Sequence, residues 1–378
     1  MPAYHQMGND SRNLLGAVPS YSGAILSPVN ECESDVTAMV KQHRSESFEF
    51  IFDPQLYFPR RSDRGQLSTW SYFPQDFDTA DMSSLAWWDG ILNELAATAE
   101  RIGANTLCAP AALGGSTLTN DYYETMRTIG DQLVGVAAAA GVRVLQTVAV
   151  RLADLSTPGR ALEIASIVSN TKSSGIYLVL LSEVKPRDEL RDDSELKGAM
   201  KLIRVLEDAG LPVLVGCSSS DVVLWKVAGA TSCATGKFAN LRRFTPGRFN
   251  EQEKGGSQVA YWFEESLLAF IRENDIPRIR AHGMGGGGDN PFAAQILEQH
   301  ANEPGKPWVG LGWRQYMWWF ANIEKRLAAG TVAARDLILA AEANWTKLEE
   351  NDVFLDERAN TGGWLRPWLQ SVVEFNKE

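Results

Sequence analysis

The residues with the strongest chemical pattern lie between Gly210 and Arg248. Two short apolar runs, Leu211–Val215 and Thr231–Ala234, each end in small polar residues: Gly216-Cys217-Ser218-Ser219-Ser220 and Thr235-Gly236-Lys237. A short amphipathic segment, Asp221–Val227, joins them. This is the grammar of a strand–helix–strand unit, which puts chemistry at the carboxyl ends of its strands. Lys237, Arg242, Arg243 and Arg248 then bring four cations into twelve residues. A lysine beside a glycine can present a compact charge to a phosphate, and arginines hold oxyanions in a fork. Ser218, Ser219 and Ser220 at a helix start can add hydroxyls and backbone N–H groups to the same anion, although a simple N-cap needs only one such residue. The expectation is an anion site for phosphate, with Lys237, Arg242 and Arg243 at its centre.

Acid–base groups come next. Asp53 follows the apolar run Phe48–Phe52, and Glu183 follows Ile176–Leu181. Two carboxylates on one rim can divide the work of general acid and base if their environments differ. Gln55 and Tyr57 stand close to Asp53. Arg60, Arg61 and Arg64 follow in the polar and aromatic insert 58–82, whose part Phe58–Phe73 reads as a lid over the substrate, with Gln55, Tyr57, Arg60 and Arg61 among the substrate's contacts. His282, ahead of Gly285–Gly288, completes the candidate binding set; the same glycines also suit a hinge.

Those groups need a scaffold that gathers strand ends. Apolar runs at 23–28, 48–52, 105–110, 142–150, 176–181, 211–215, 231–234 and 277–281 alternate with helical patterns such as Ser83–Ile102, Asn120–Ala140, Pro158–Thr171 and Ser194–Ala209. Alternation of this kind requires parallel pairing with right-handed crossovers, and eight units match a (β/α)8 TIM-type barrel. An open doubly wound sheet is the competing topology, but no GxGxxG follows the first strand. The expected organisation is a loose arm at 1–20, the barrel at 21–288, and a helical C-terminal extension at 289–378. A further helix is expected from Ser257 to about Glu273. Eight of the twelve tryptophans fall from Trp262 onward, and the stripe Trp313, Tyr316, Met317, Phe320 and Ile323 has the spacing of a packed helix face.

Composition narrows the class. The chain has 378 residues, 44% apolar, with a net charge of −11. That charge opposes broad wrapping of nucleic acid and leaves a local basic cleft open. The four cysteines, Cys32, Cys108, Cys217 and Cys233, show no CxxC spacing, and the sequence has no HExxH, so neither zinc nor a disulfide framework is expected. A barrel with a basic rim is similar in architecture to the tRNA-guanine transglycosylases and their DNA-modifying relatives. Those carry a zinc site of clustered Cys and His that this sequence lacks. GxSxG and Walker A patterns are also missing. No signal peptide or membrane span is read, and the expected location is the cytoplasm.

The resulting expectation is a metal-independent enzyme without a cofactor. It acts on a nucleotide or sugar phosphate, with Asp53 and Glu183 cleaving or transferring at a glycosidic or C–O bond as hydrolase or transferase. The alternative is a catalytically idle barrel that docks a protein or nucleic-acid partner through its basic rim and Trp-rich helices. Those helices would also suit a homo-oligomer contact.

Overall fold

The structure is a computed structural model that describes residues 3–18, 20–58, 65–76, 81–113, 118–249, 259–357 and 361–377. Eight parallel strands close into a barrel: β1 Ala3–Gln6, β2 Tyr21–Leu26, β3 Glu49–Phe52, β4 Thr106–Cys108, β5 Arg143–Arg151, β6 Ile176–Leu181, β7 Val213–Val215 and β8 Ser232–Thr235. Helices α1 Glu33–His43, α2 Leu85–Ile102, α3 Asn120–Ala137, α4 Arg160–Val168, α5 Asp193–Asp208 and α6 Val222–Val227 connect successive strands from β2 to β8. The (β/α)8 expectation therefore holds, with its strands numbered one later than the sequence implied.

The closing strand is β1, in the segment expected to be a loose arm. Tyr4 and His5 pair with Ala234 and Thr235 of β8, while β1 also pairs with β2. Its four residues are all buried, although two of them are His and Gln. The polar side chains explain why no strand was expected there. Tyr4 and Gln6 point into the barrel, where Tyr4 donates to Glu49 and Gln6 accepts from Tyr177 across the interior at 3.2 Å. Glu49 also accepts from Thr106 and Arg143, which gathers Tyr4, Glu49, Thr106 and Arg143 into one hydrogen-bonded cluster at the floor of the barrel.

Pro277–Ala281, expected as the eighth strand, lies in helix α7 Asp275–Arg280. Pro277 sits in the first turn, Ile276 and Ile279 share the buried face, and Arg278 pairs with Asp275 at 3.1 Å one turn back. The helix expected over Ser257–Glu273 is a hairpin where it is described, with β9 Trp262–Glu264 antiparallel to β10 Ala269–Ile271. Glu264 ties its turn by accepting from the Ser266 N–H and hydroxyl.

Beyond the hairpin stand α8 Pro291–Asn302, α9 Val309–Ala328, α10 Ala334–Glu350 and α11 Leu365–Phe375. Among the described residues no α-helix separates β1 from β2. Helix α9 packs on β1, β8 and α6, and so completes the outer layer of the barrel where the chain closes. Tyr21 donates to the Met317 carbonyl at 3.0 Å, and the buried Glu324 accepts from the Cys233 N–H at 3.0 Å. The stripe Tyr316, Met317, Phe320 and Ile323 is core, as its spacing implied. Trp308, Trp319, Trp364 and Trp368 are also buried, so these indoles pack the chain against itself. Among the described residues no helix is long and apolar enough to cross a membrane.

Removal of residues 1–8 takes away a strand paired on both sides. The truncated chain is expected to lose its cooperative thermal transition and the near-ultraviolet circular dichroism of its packed tryptophans. A dispensable arm would leave both unchanged.

Candidate functional site at the barrel mouth

Strand β6 pairs with β5 along its whole length, Ile176–Leu181, but with β7 only from Ile176 to Leu178. The edge left open above β7 is taken by the chain returning from β8. Phe244 bridges to Leu181, and the Ser182 N–H donates to the Phe244 carbonyl at 2.9 Å. The segment 236–245 therefore lies across part of the mouth. Gly236 permits this: a Cβ there would stand 2.5 Å from both the Gln6 carbonyl oxygen and the Leu241 Cβ.

Two arginines hold the segment down. Arg242 donates to the carbonyls of Gly236 and Lys237 at 2.9 and 2.7 Å. Its guanidinium lies 3.8 Å from the centre of the Tyr316 ring and 4.3 Å from that of Phe270. Burial pushes its pKa down to about 10. Arg243 reaches Asp221 at 3.1 Å and Glu189 at 3.4 Å, all three side chains being almost fully enclosed. Ser220 donates to Glu189 at 2.7 Å, and Asp221 accepts from the Ser219 N–H and the Trp225 indole. Burial raises the pKa of both acids against the pull of Arg243, and Glu189 rises to about 7.

These contacts revise the expected anion site. Of the central cations, Arg242 and Arg243 are structural groups whose guanidiniums serve backbone carbonyls, rings and buried carboxylates. Ser220 is bound to Glu189, and Ser218 donates to the Val215 carbonyl at 3.3 Å. Lys237 and Ser219 remain, and with Arg242 they line a cavity of about 130 Å³ beside the folded-back segment. The Lys237 ammonium donates to the Asp10 carbonyl at 2.7 Å and lies 4.5 and 4.7 Å from the ring centres of Trp313 and Phe238. Burial lowers its pKa, with Asp10 and Glu31 opposing. Tyr261 and Phe270 of the hairpin region form further wall, and Arg187, Glu189 and Glu357 supply charge. Arg187 donates to the Tyr261 hydroxyl at 2.9 Å, which in turn donates to Glu357 at 3.1 Å. Glu357 is also paired with Arg272 at 3.0 Å.

The expected acid–base pair is not assembled here. Asp53 is buried at the end of β3 and accepts from the Gln55 N–H and the Tyr57 hydroxyl, both at 3.0 Å. Gln55 accepts from Ser27 and the Val29 N–H, and Tyr57 packs edge-on against Phe244 at 4.9 Å. Asp53, Gln55 and Tyr57 thus form one hydrogen-bonded cluster that does not line the cavity. Glu183 leaves 78% of its side chain exposed and approaches Arg151 at 3.7 Å. His282 sits on a turn after α7, where its carbonyl accepts from Lys347, and it is likewise outside the cavity. Its displacement follows from 277–281 being a helix. Arg60, Arg61 and Arg64 lie outside the described residues, as does the side chain of Arg248.

Glu189, Tyr261, Trp313 and Glu357 are cavity residues that sequence reasoning missed. Trp313 is in the same helical stripe as the core residues of α9, so periodicity could not single it out. Glu189 is one acid in the charged run 183–195, with no spacing that marks it.

No protein-family model matches the chain, and no curated relative does. Among solved structures it is similar to an L-ribulose 3-epimerase, with 12% identity over 93% of this chain and 98% of that one, at a TM-score of 0.40. It is also similar to a type I 3-dehydroquinate dehydratase from Clostridium difficile carrying covalently modified comenic acid. That match has 8% identity over 66% of this chain and 88% of the other, at a TM-score of 0.34.

Replacing Arg243 by Leu leaves Glu189 and Asp221 buried without their counter-charge, which costs about 3–5 kcal/mol for a pair broken in this way. Both acids have folded-state pKa values above their ordinary ones, so the folded protein binds the extra protons. The loss should be largest at pH 8 and shrink as pH falls through 7 toward 5. Urea unfolding at the two ends of this range checks the sign.

Proposed function

We propose that the chain is a barrel enzyme that binds a small phosphate-bearing substrate with a flat ring, a nucleotide or sugar phosphate, in the cavity beside Lys237. The observation that carries this reading is the cavity's make-up. A buried ammonium, a carboxyl group near neutral pKa and several aromatic walls meet at the carboxyl ends of the strands, where barrel enzymes keep their chemistry.

The roles follow from the surroundings. Lys237 donates one hydrogen bond to the Asp10 carbonyl, with the Asp10 carboxylate at 3.9 Å, and its ammonium is the group that would meet the phosphate oxygens. Ser219 stands on the same lining. Trp313, Phe238 and Tyr261 offer ring faces against which a sugar or base can stack. Glu189 is the acid–base group: a pKa near 7 lets it give a proton to a departing oxygen, or take one from an attacking hydroxyl, close to neutral pH. Such proton transfer serves cleavage or exchange at a glycosidic or C–O bond. Glu357, held by Tyr261 and Arg272, is the second carboxylate facing the substrate. Asp53 keeps a supporting role, bracing the turn under Tyr57 and Phe244.

Thermal-shift screening with nucleotides and sugar phosphates tests the binding half. A stabilising compound should lose at least about tenfold in affinity with Lys237→Met, in line with a charge-assisted hydrogen bond of about 1.5–3 kcal/mol. A response that is unchanged in that variant removes the assignment. With a turned-over compound in hand, Glu189→Gln should retain binding and lose about 10²–10⁴ in kcat. If Glu189 is the acid, wild-type kcat should fall as pH rises past about 7, and a rate indifferent to pH between 6 and 8 speaks against it.

A further inference from the structure

We propose that a second pocket, on the flank of the barrel around His5, binds a small neutral molecule with an apolar body and one hydroxyl group. The pocket lies between the outer face of β1 and β2 and the helices α1 and α9, and encloses about 220 Å³. Tyr4 and Gln6 point into the barrel, so His5 between them points outward, into this space. Leu14, Leu15, Val18, Phe48 and Met317 supply apolar wall, Ser20, His43 and Ser45 add polar groups, and Tyr21 stands 6.1 Å from the His5 ring.

His5 is the reason to expect a ligand. It is 2% exposed, and its Nε2 has no hydrogen-bond partner among the described residues. A buried polar nitrogen without a partner costs about 1–3 kcal/mol, so it calls for an occupant. Burial drives the imidazole pKa down to about 3, and the charge of Lys237 acts in the same direction. The ring is therefore neutral across the physiological range, which gives an anionic group nothing to pair with. Neutral imidazole presents Nε2 as donor in one tautomer and acceptor in the other. A hydroxyl group matches both. Water fits the nitrogen as well, and Ser20, Tyr21, His43 and Ser45 on the lining offer it further polar partners, but water leaves the five apolar side chains uncovered. A hydroxylated apolar molecule satisfies the nitrogen and covers the wall together. The pocket stands apart from the cavity at Lys237, so this inference does not depend on the proposed function.

Phenol and benzene are the probes, titrated into the full-length protein by calorimetry, with the histidine side-chain nitrogens followed by NMR. Phenol is expected to bind about tenfold tighter than benzene and to move the His5 Nε2 resonance. In His5→Phe the two probes should bind alike. Equal affinities in wild type, a phenol advantage that persists in His5→Phe, or a resonance unmoved at saturation would overturn the proposal; the last would leave water as the only occupant. Should His5→Phe fail to fold, the wild-type resonance decides by itself.

Discussion

The return of the chain over its own barrel is the constraint that shapes the mouth. Strand β6 outruns β7 by three residues, Val179–Leu181, and an open strand edge inside a barrel would leave backbone groups without partners. Segment 236–245 covers the end of that edge, where Phe244 bridges to Leu181 and accepts from the Ser182 N–H. That position is stable because Arg243 finds two buried carboxylates below it and Arg242 finds two carbonyls and two aromatic faces. The cavity is what remains beside the segment once it has settled. Its ammonium, its acid and its rings are placed by the same contacts that close the mouth.

Helix α9 ties the rest of the molecule to this closure. Among the described residues the first strand pair lacks an α-helix between its members, and α9 covers the exposed flank of β1 and β8. The same helix carries Trp313 to the cavity and Tyr316 under Arg242. Helix α9 is thus part of both the barrel's outer layer and the cavity wall, and α8, α10 and α11 pack on helices outside the strands, which buries Trp364 and Trp368.

Most of the fold was legible because alternation of apolar runs with amphipathic helices has few physical solutions. Seven of the barrel strands fall where the sequence places them. The eighth was hidden in β1, whose Tyr4 and Gln6 find hydrogen-bond partners inside the barrel and so break the apolar pattern. Pro277–Ala281 was misleading because a five-residue apolar alternation cannot distinguish a strand from one helical turn with Pro at its start. The candidate site was legible in part. Gly236 and Lys237 are where the chemistry gathers, and the arginines after them are adjacent. Local sequence cannot reveal that Arg242 and Arg243 are committed to long-range partners, nor that Glu189 rather than Asp53 or Glu183 faces the cavity. Those facts depend on the fold-back across β6, a contact between segments some sixty residues apart.

The central claim is that the cavity beside Lys237 receives a phosphate and a ring together. A crystal structure with 5-bromouridine 5′-monophosphate, its bromine located by anomalous scattering, addresses it directly. The account predicts phosphate oxygens within hydrogen-bond distance of Lys237 Nζ and the brominated ring against Trp313 or Tyr261. Bromine found instead over Asp53, in the floor of the barrel, or nowhere at saturating ligand would contradict it.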